Sequence, residues 1–313
     1  MDIGFDVRIP HIVDQPDVLT MLVTEGERLG YDYTTVSDHL VVAASVQPKY
    51  ANGPEAPAYG RCFEQLTTIA FLAAKTSRLR FVTSVMVAPY RPPVLAAKVL
   101  STIDVLSGGR LTVGVGTGWI VQEFEALGAP DFSVRGQVTD EFIEAMKVLW
   151  TDSASGFDGQ HVSFSEIRIE PRPVQRPHPP LWIGGMSGPA MRRAARFGDA
   201  WYPMLSDQAK PLDSVPRLKA AIADLRGRTI AAGRDPARVT VAVRVSAYGE
   251  SVSARASDGE RRLFSGCAAD HATDLNSLRE LGVTAVDFRF DQESPEHALD
   301  EMETLQRDVL GKL

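Results

Sequence analysis

The segments of this 313-residue chain best suited to chemistry each follow a short apolar run of strand length. Ser37-Asp38-His39 sets an imidazole beside a carboxylate. Such a pair can be held in one tautomer and can exchange a proton near pH 7, although a capping Asp38 and an ordinary loop His39 would give the same letters. Thr83-Ser84-Val85-Met86-Val87-Ala88-Pro89-Tyr90-Arg91-Pro92-Pro93 has the small side chains that let a planar ligand approach backbone, while periodicity alone reads Ser84 and Val85 as core strand. Gly114-Val115-Gly116-Thr117-Gly118-Trp119 only superficially resembles a dinucleotide fingerprint. The G-x-G-x-x-G spacing fails, Trp119 stands after the third glycine, and no helix is expected to open there. Glycines so close together instead let a ring or a chain lie against main chain. Gly184-Gly185-Met186-Ser187-Gly188-Pro189 reads as a glycine turn opening a helix. It is suited to an anion, with Ser187 as either helix cap or phosphate contact. Tyr90, Trp119 and Trp201 are candidate apolar walls.

Apolar runs alternate with helical periods along the whole chain, and these elements must position the segments above. Strands are predicted over 3–9, Tyr33–Val36, 79–85, 111–115, Leu181–Gly184, 200–201, 239–245 and 285–290. Helices are predicted over Pro16–Leu29, 63–75, Pro93–Leu106, 138–150, 189–197, 215–232, 273–281 and 295–310. Eight such repeats over residues 1–313 fit one (β/α)8 barrel domain, in which chemistry collects at the C-terminal strand ends. Three stretches break the rhythm and read as insertions. Residues 41–60 form a loop. Residues 153–180 suggest a hairpin and a rigid, proline-dense connector. Residues 248–266 suggest a polar, mobile excursion.

Composition narrows the partners. The chain has 33 basic and 40 acidic residues, a net charge of -7, and is 44% hydrophobic and 23% charged. That excludes a disordered chain and disfavours nucleic acid as the partner, because phosphate neutralisation needs a basic field. No apolar run approaches the ~20 residues of a membrane span, and the opening MDIGFDVRIP is acidic where a signal peptide is basic, so a cytoplasmic protein with no membrane partner is expected. Cys62 and Cys267 read as unpaired thiols, and the histidines show no metal-ligand spacing, so no metal is expected. Of the basic residues 26 are Arg and 7 are Lys, a bias associated with GC-rich genomes.

Ser-Asp-His, T-S-V-x-V-x-P-Y-R-P-P, L-S-G-G-R-L-T-V-G-V-G-T-G-W-x-x-x-E-F and P-x-P-V-Q-R-P-H-P-P-L-W-I-G-G together resemble the bacterial luciferase-like superfamily, in its branch using the deazaflavin coenzyme F420. The resemblance covers about residues 1–310 and is densest over 80–202. It implies a luciferase-like TIM barrel, usually homodimeric, with a cis peptide at Ser84–Val85 beneath the coenzyme ring. It also implies catalytic roles for His39 and Asp38 and ring or side-chain contacts from Asp38, Ser84, Val85, Thr117 and Gly118. Gly185, Ser187 and Gly188 match the phosphate cradle. In the sugar-phosphate dehydrogenases of this branch a glutamate follows Gly-Thr-Gly; Trp119 replaces it here, which favours an apolar or aromatic small-molecule substrate. The expected activity is F420-dependent hydride transfer, with His39 exchanging the accompanying proton and Asp38 orienting it. The alternatives are an FMN-dependent monooxygenase using O2 and a flavin-binding protein without turnover. Because the coenzyme is polyanionic and the chain acidic, binding must rest on local donors: the helix start at Gly185–Gly188 and Arg91, Arg192 or Arg193.

Overall fold

The computed structural model describes residues 1–7, 15–41, 62–152, 154–205, 210–290 and 294–312. In chain order the elements are β1 (Asp2–Asp6), α1 (Pro16–Leu29), β2 (Tyr33–Val36), α2 (Gln65–Ala73), β3 (Arg80–Thr83), β4 (Met86–Val87), α3 (Pro93–Leu106) and β5 (Leu111–Gly116). Then come α4 (Val121–Leu127), α5 (Arg135–Thr151), β6 (Ser155–Asp158), β7 (Ser163–Ile167), β8 (Leu181–Gly184) and α6 (Gly188–Phe197). The chain closes with β9 (Ala200–Tyr202), α7 (Val215–Ala231), β10 (Thr240–Val245), α8 (Ala268–Leu281), β11 (Val283–Phe288) and α9 (Pro295–Asp308). With β3 and β4 counted as one interrupted strand and the β6–β7 hairpin set aside, eight parallel strands each lead into a helix. The chain therefore has the (β/α)8 class of a TIM barrel with insertions.

The residues cluster into two compact units. One contains the N-terminal strand, Met21–Thr35 and Trp182–Leu313. Within it the parallel strands run β2-β1-β11-β10-β9-β8, and side chains such as Phe5, Val243, Val286 and Phe288 are fully or almost fully buried. Burial on both faces explains why these strands read as near-continuous apolar runs rather than as alternating ones. In the same unit Arg244 Nε donates to Asp287 Oδ2 (2.8 Å), Tyr202 donates to Asp287 Oδ1 (2.6 Å), and Arg244 Nη1 lies 3.7 Å from Asp6. Helices start where their sequence allows. Ser214 and Ser294 cap α7 and α9 through side-chain oxygens, each with a proline in the first turn, which cannot donate to the helix ladder anyway.

The other unit contains Val36–Leu181. Here β5 is the axis: β3 pairs with its start (Phe81↔Leu111, Val82↔Thr112) and β4 with its end (Met86↔Val115, Val87↔Gly116). From Val82 to Met86 is four steps against three from Thr112 to Val115, so one extra residue bulges out between the two strand halves. On the outside α3 packs against α5, and Trp150 Nε1 donates to Ala97 O (3.0 Å) across that contact.

Several expectations change. Residues 8–9 of the predicted first strand, and the 41–60 insertion apart from Val41, lie outside the described residues. The 153–180 insertion is a hairpin followed by a connector with cis bonds at Glu170–Pro171 and Arg176–Pro177. The Asp104 carboxylate pins that connector by accepting the Val174 and Gln175 amides (2.7 and 3.1 Å). Residues 248–266 are more than a polar excursion: Leu263 and Phe264 are buried, and Phe264 N donates to Asp274 Oδ2 (2.7 Å). Helix α4 was not predicted, because seven residues are too few for a helical period to emerge.

Candidate active site

In the Val36–Leu181 unit the site begins at the bulge. The Ser84–Val85 peptide is cis, Ser84 N donates to Val36 O (2.7 Å), and Thr83 Oγ1 donates to Gly114 O (2.8 Å). The glycines of β5 make room for this bend. A Cβ on Gly114 would stand 2.0 Å from Thr83 O, and one on Gly116 would stand 2.5 Å from Val85 Cγ2. Gly-x-Gly-x-Gly here is thus the imprint of the chain's own bulged strand, with Thr117 and Gly118 half-buried where β5 ends.

Asp38 does not orient His39, contrary to expectation. Its buried carboxylate accepts Val87 N (2.9 Å) and a two-pronged bond from Arg91, with Nη1 and Nη2 each at 2.8 Å. Arg91 Nη2 also reaches Glu64 Oε1 (2.6 Å). The rigid fork of a guanidinium matches a carboxylate, which is why this Arg serves as a clamp on the bulge. Burial pulls the Arg91 value down, but Asp38 and Glu64 outweigh it and hold the guanidinium charged. Two carboxylates already occupy it, so Arg91 is not the local donor for an anion that the sequence suggested.

The partner of His39 is Glu123, which sequence reasoning passed over. His39 Nδ1 lies 3.3 Å from Glu123 Oε2, Tyr90 Oη donates to the same oxygen (2.6 Å), and Leu40 N donates to Oε1 (3.2 Å). The Glu123 side chain is 1% exposed and that of His39 11%. Burial raises the Glu123 value, but the bonds from His39 and Tyr90 outweigh it and hold the carboxyl below the ordinary glutamate range. A carboxylate thus stands beside His39 although Trp119 follows the glycines, supplied four residues later from the first turn of α4. Trp119 instead meets the His39 ring edge-on (6.2 Å between centroids, 85°). The signal for Glu123 was the E-F at the end of the glycine motif, but without a helix placed there nothing aimed it at His39.

The other expected walls are not open ones. Tyr90 packs with Val87 and Phe124 and offers only its hydroxyl, kept protonated by burial and by Glu123. Trp201 is fully buried in the other unit, where its Nε1 donates to Gly185 O (2.8 Å) and steadies the turn before α6. At that turn Gly185 has φ +104°, a conformation L side chains rarely adopt. Ser187 Oγ accepts Ala190 N (3.2 Å), so it caps the helix. Arg193 is buried, whereas Arg192 is exposed and its Nη1 lies 3.6 Å from where a Cβ on Gly188 would stand. A cation thus lies beside the start of α6, where Pro189 brings no N–H and the Ala190 and Met191 amides are taken by Ser187, so Arg192 and the Gly188 N–H are the donors offered to a phosphoryl group. Among the described residues no group of His, Cys, Asp and Glu could hold a metal ion, and no helix is long and apolar enough to cross a membrane. Neither Cys62 nor Cys267 is in a disulfide, and Cys62 Sγ lies 3.3 Å from His39 O.

Comparisons with known proteins agree with this fold. The family model for luciferase-like monooxygenases matches residues 6–311. An FMNH2-dependent dimethylsulfone monooxygenase of Pseudomonas putida is 37% identical over 172 residues, which is 54% of this chain and 45% of that one. The chain thus matches about half the length of that relative. Among solved structures, monooxygenase RslO1 from Streptomyces bottropensis superposes with a TM-score of 0.77 at 18% identity, covering 100% of this chain and 99% of the other. An F420-dependent secondary alcohol dehydrogenase, in complex with an F420-acetone adduct, gives 0.76 at 17% identity, covering 98% of each. At such identities the likeness shows the shared fold.

Proposed function

Because the chain belongs to the luciferase-like monooxygenase family, we propose that it is a coenzyme F420-dependent oxidoreductase acting on an apolar or aromatic small molecule. The observation that carries this reading is His39, backed by the buried Glu123 in the unit that holds the cis Ser84–Val85 bulge. When bound, the deazaflavin supplies hydride exchange. Its counterpart on the protein is a group that holds and returns a proton at the same carbon–oxygen or carbon–carbon bond, and His39 has the chemistry for that.

Within each compact unit, taken by itself, a set of residues has chemistry that suits part of such a coenzyme. The start of α6, with Gly188, the Ser187 cap and Arg192, fits its phosphoryl part. The bulge at Ser84–Val85, with Thr117 and Gly118 at the end of β5, fits a planar ring. Glu123 is committed to three donors and is not offered to a substrate, so the half-buried Trp119 is the surface beside His39, and an indole favours an apolar partner. A second reading, an FMN-dependent monooxygenase, is favoured by the identity to the FMNH2-dependent relative.

Titration of the purified protein with reduced F420 and with reduced FMN separates the two. Saturable binding of F420 with hydride transfer to a carbonyl or alcohol is expected; tight FMN binding with oxygen-dependent product would replace the first reading by the second. In the His39→Ala variant turnover is expected to fall on the order of 10²–10⁴-fold with coenzyme affinity little changed. Unchanged turnover would remove His39 from the mechanism.

A further inference from the structure

We propose that Glu123 is a positioning residue that fixes His39 as the Nδ1–H tautomer, which makes Nε2 the basic nitrogen of the neutral ring. This rests on the reading of His39 as the proton-transfer group. The geometry is specific about which atoms face each other. Glu123 Oε1 is taken by the Leu40 amide (3.2 Å), a donor that cannot change sign. Oε2 receives the Tyr90 hydroxyl (2.6 Å) and faces His39 Nδ1 (3.3 Å). An ionised carboxylate only accepts, so the nitrogen facing it must carry the hydrogen. Neutral His39 then keeps its lone pair on Nε2, the nitrogen not engaged by Glu123. When Nε2 takes up a proton, the buried carboxylate lies beside the resulting imidazolium and offsets its charge.

Among the described residues, charged groups from the neighbouring segments have partners of their own. Asp38, Arg91 and Glu64 form their own ion cluster, with Asp38 and Glu64 both bound to Arg91. Cys62 reaches the His39 carbonyl rather than the ring, and Trp119 contributes an aromatic edge. Glu123, itself held by the Tyr90 hydroxyl, is the carboxylate that faces Nδ1.

The same contacts make an unusual prediction for Glu123→Gln. The amide would place its oxygen against the Leu40 N–H, because the reverse orientation sets donor against donor. Its NH2 then faces His39 Nδ1 and donates to it, which turns the imidazole over to the Nε2–H tautomer. Tyr90→Phe removes a donor without changing the carboxylate and should keep the wild-type tautomer.

The test is a two-bond 1H–15N correlation spectrum of the 15N-histidine-labelled, full-length, ligand-free protein at mildly alkaline pH, with His39 assigned from its absence in His39→Ala. Wild type and Tyr90→Phe should show the Nδ1–H pattern and Glu123→Gln the Nε2–H pattern. Turnover of Glu123→Gln should fall by roughly 10²–10⁴-fold while the KM for coenzyme changes little. A wild-type His39 already in the Nε2–H form, or a folded Glu123→Gln protein that keeps Nδ1–H, would overturn the proposal. The spectra need no coenzyme, so this outcome stands apart from whether F420 or FMN proves to be the redox partner.

Discussion

Two carboxylates near His39 have divided duties. Asp38, adjacent in sequence, is turned away from the imidazole to clamp the bulge through Val87 and Arg91; Glu123, far away in sequence, is the one that meets the ring. The Glu123 value lies below the ordinary one near 4.5, because bonds from His39 and Tyr90 outweigh burial. Its ionised form therefore favours the folded state above that pH, and the stabilisation is lost as pH falls through the lowered value. The unfolding free energy of wild type should thus exceed that of Glu123→Gln near neutrality, and the gap should shrink as pH is taken below the ordinary glutamate value near 4.5. Chemical denaturation of both proteins across that range checks this; a gap independent of pH would contradict it. Asp38 stood out in the sequence but its partner did not, since adjacency in sequence says nothing about which way two side chains leave a strand end.

Among the elements, β5 and the interrupted β3–β4 pair decide the shape of the site. The sequence motif Gly-x-Gly-x-Gly looks like a ligand signature, yet its first two glycines are required by the neighbouring strand. Gly114→Ala would drive a Cβ to within 2.0 Å of the Thr83 carbonyl, a backbone atom that cannot step aside. The expected cost is on the order of 1–3 kcal/mol or more. Gly227, exposed within α7 with nothing within 4 Å of its virtual Cβ, sets the opposite case. There alanine should stabilise by about 0.5–1 kcal/mol, because it removes backbone freedom from the unfolded chain. Denaturant midpoints of the two variants should move in opposite directions, and a harmless Gly114→Ala would refute the close-approach account. Most long elements were readable from periodicity to within a residue or two. The short helix α4 was not, and with it went Glu123.

At the scale of the whole molecule, charge and assembly are the open physical questions. A net charge of -7 would oppose the proposed polyanionic coenzyme at long range, so its binding would have to come from donors at contact distance. Of the three arginines considered, Arg91 is neutralised and Arg193 is buried, which leaves Arg192 beside the start of α6. We further propose that the protein acts as a homodimer, as its resemblance to the luciferase-like proteins implies. Light scattering coupled to size exclusion should then give twice 34.1 kDa, and a monomeric mass at working concentration would refute it.

The sequence by itself determined the (β/α)8 alternation, the helix starts at Pro16 and Pro93, and the segments at strand ends where chemistry collects, because each depends on residues within a few positions of one another. The tertiary structure alone decided which of those residues meet. His39 and Glu123 stand 84 positions apart, and Asp38 and Arg91 stand 53 apart. Such pairings follow from strand register and from one extra residue in a bulge, which no local pattern of side chains encodes.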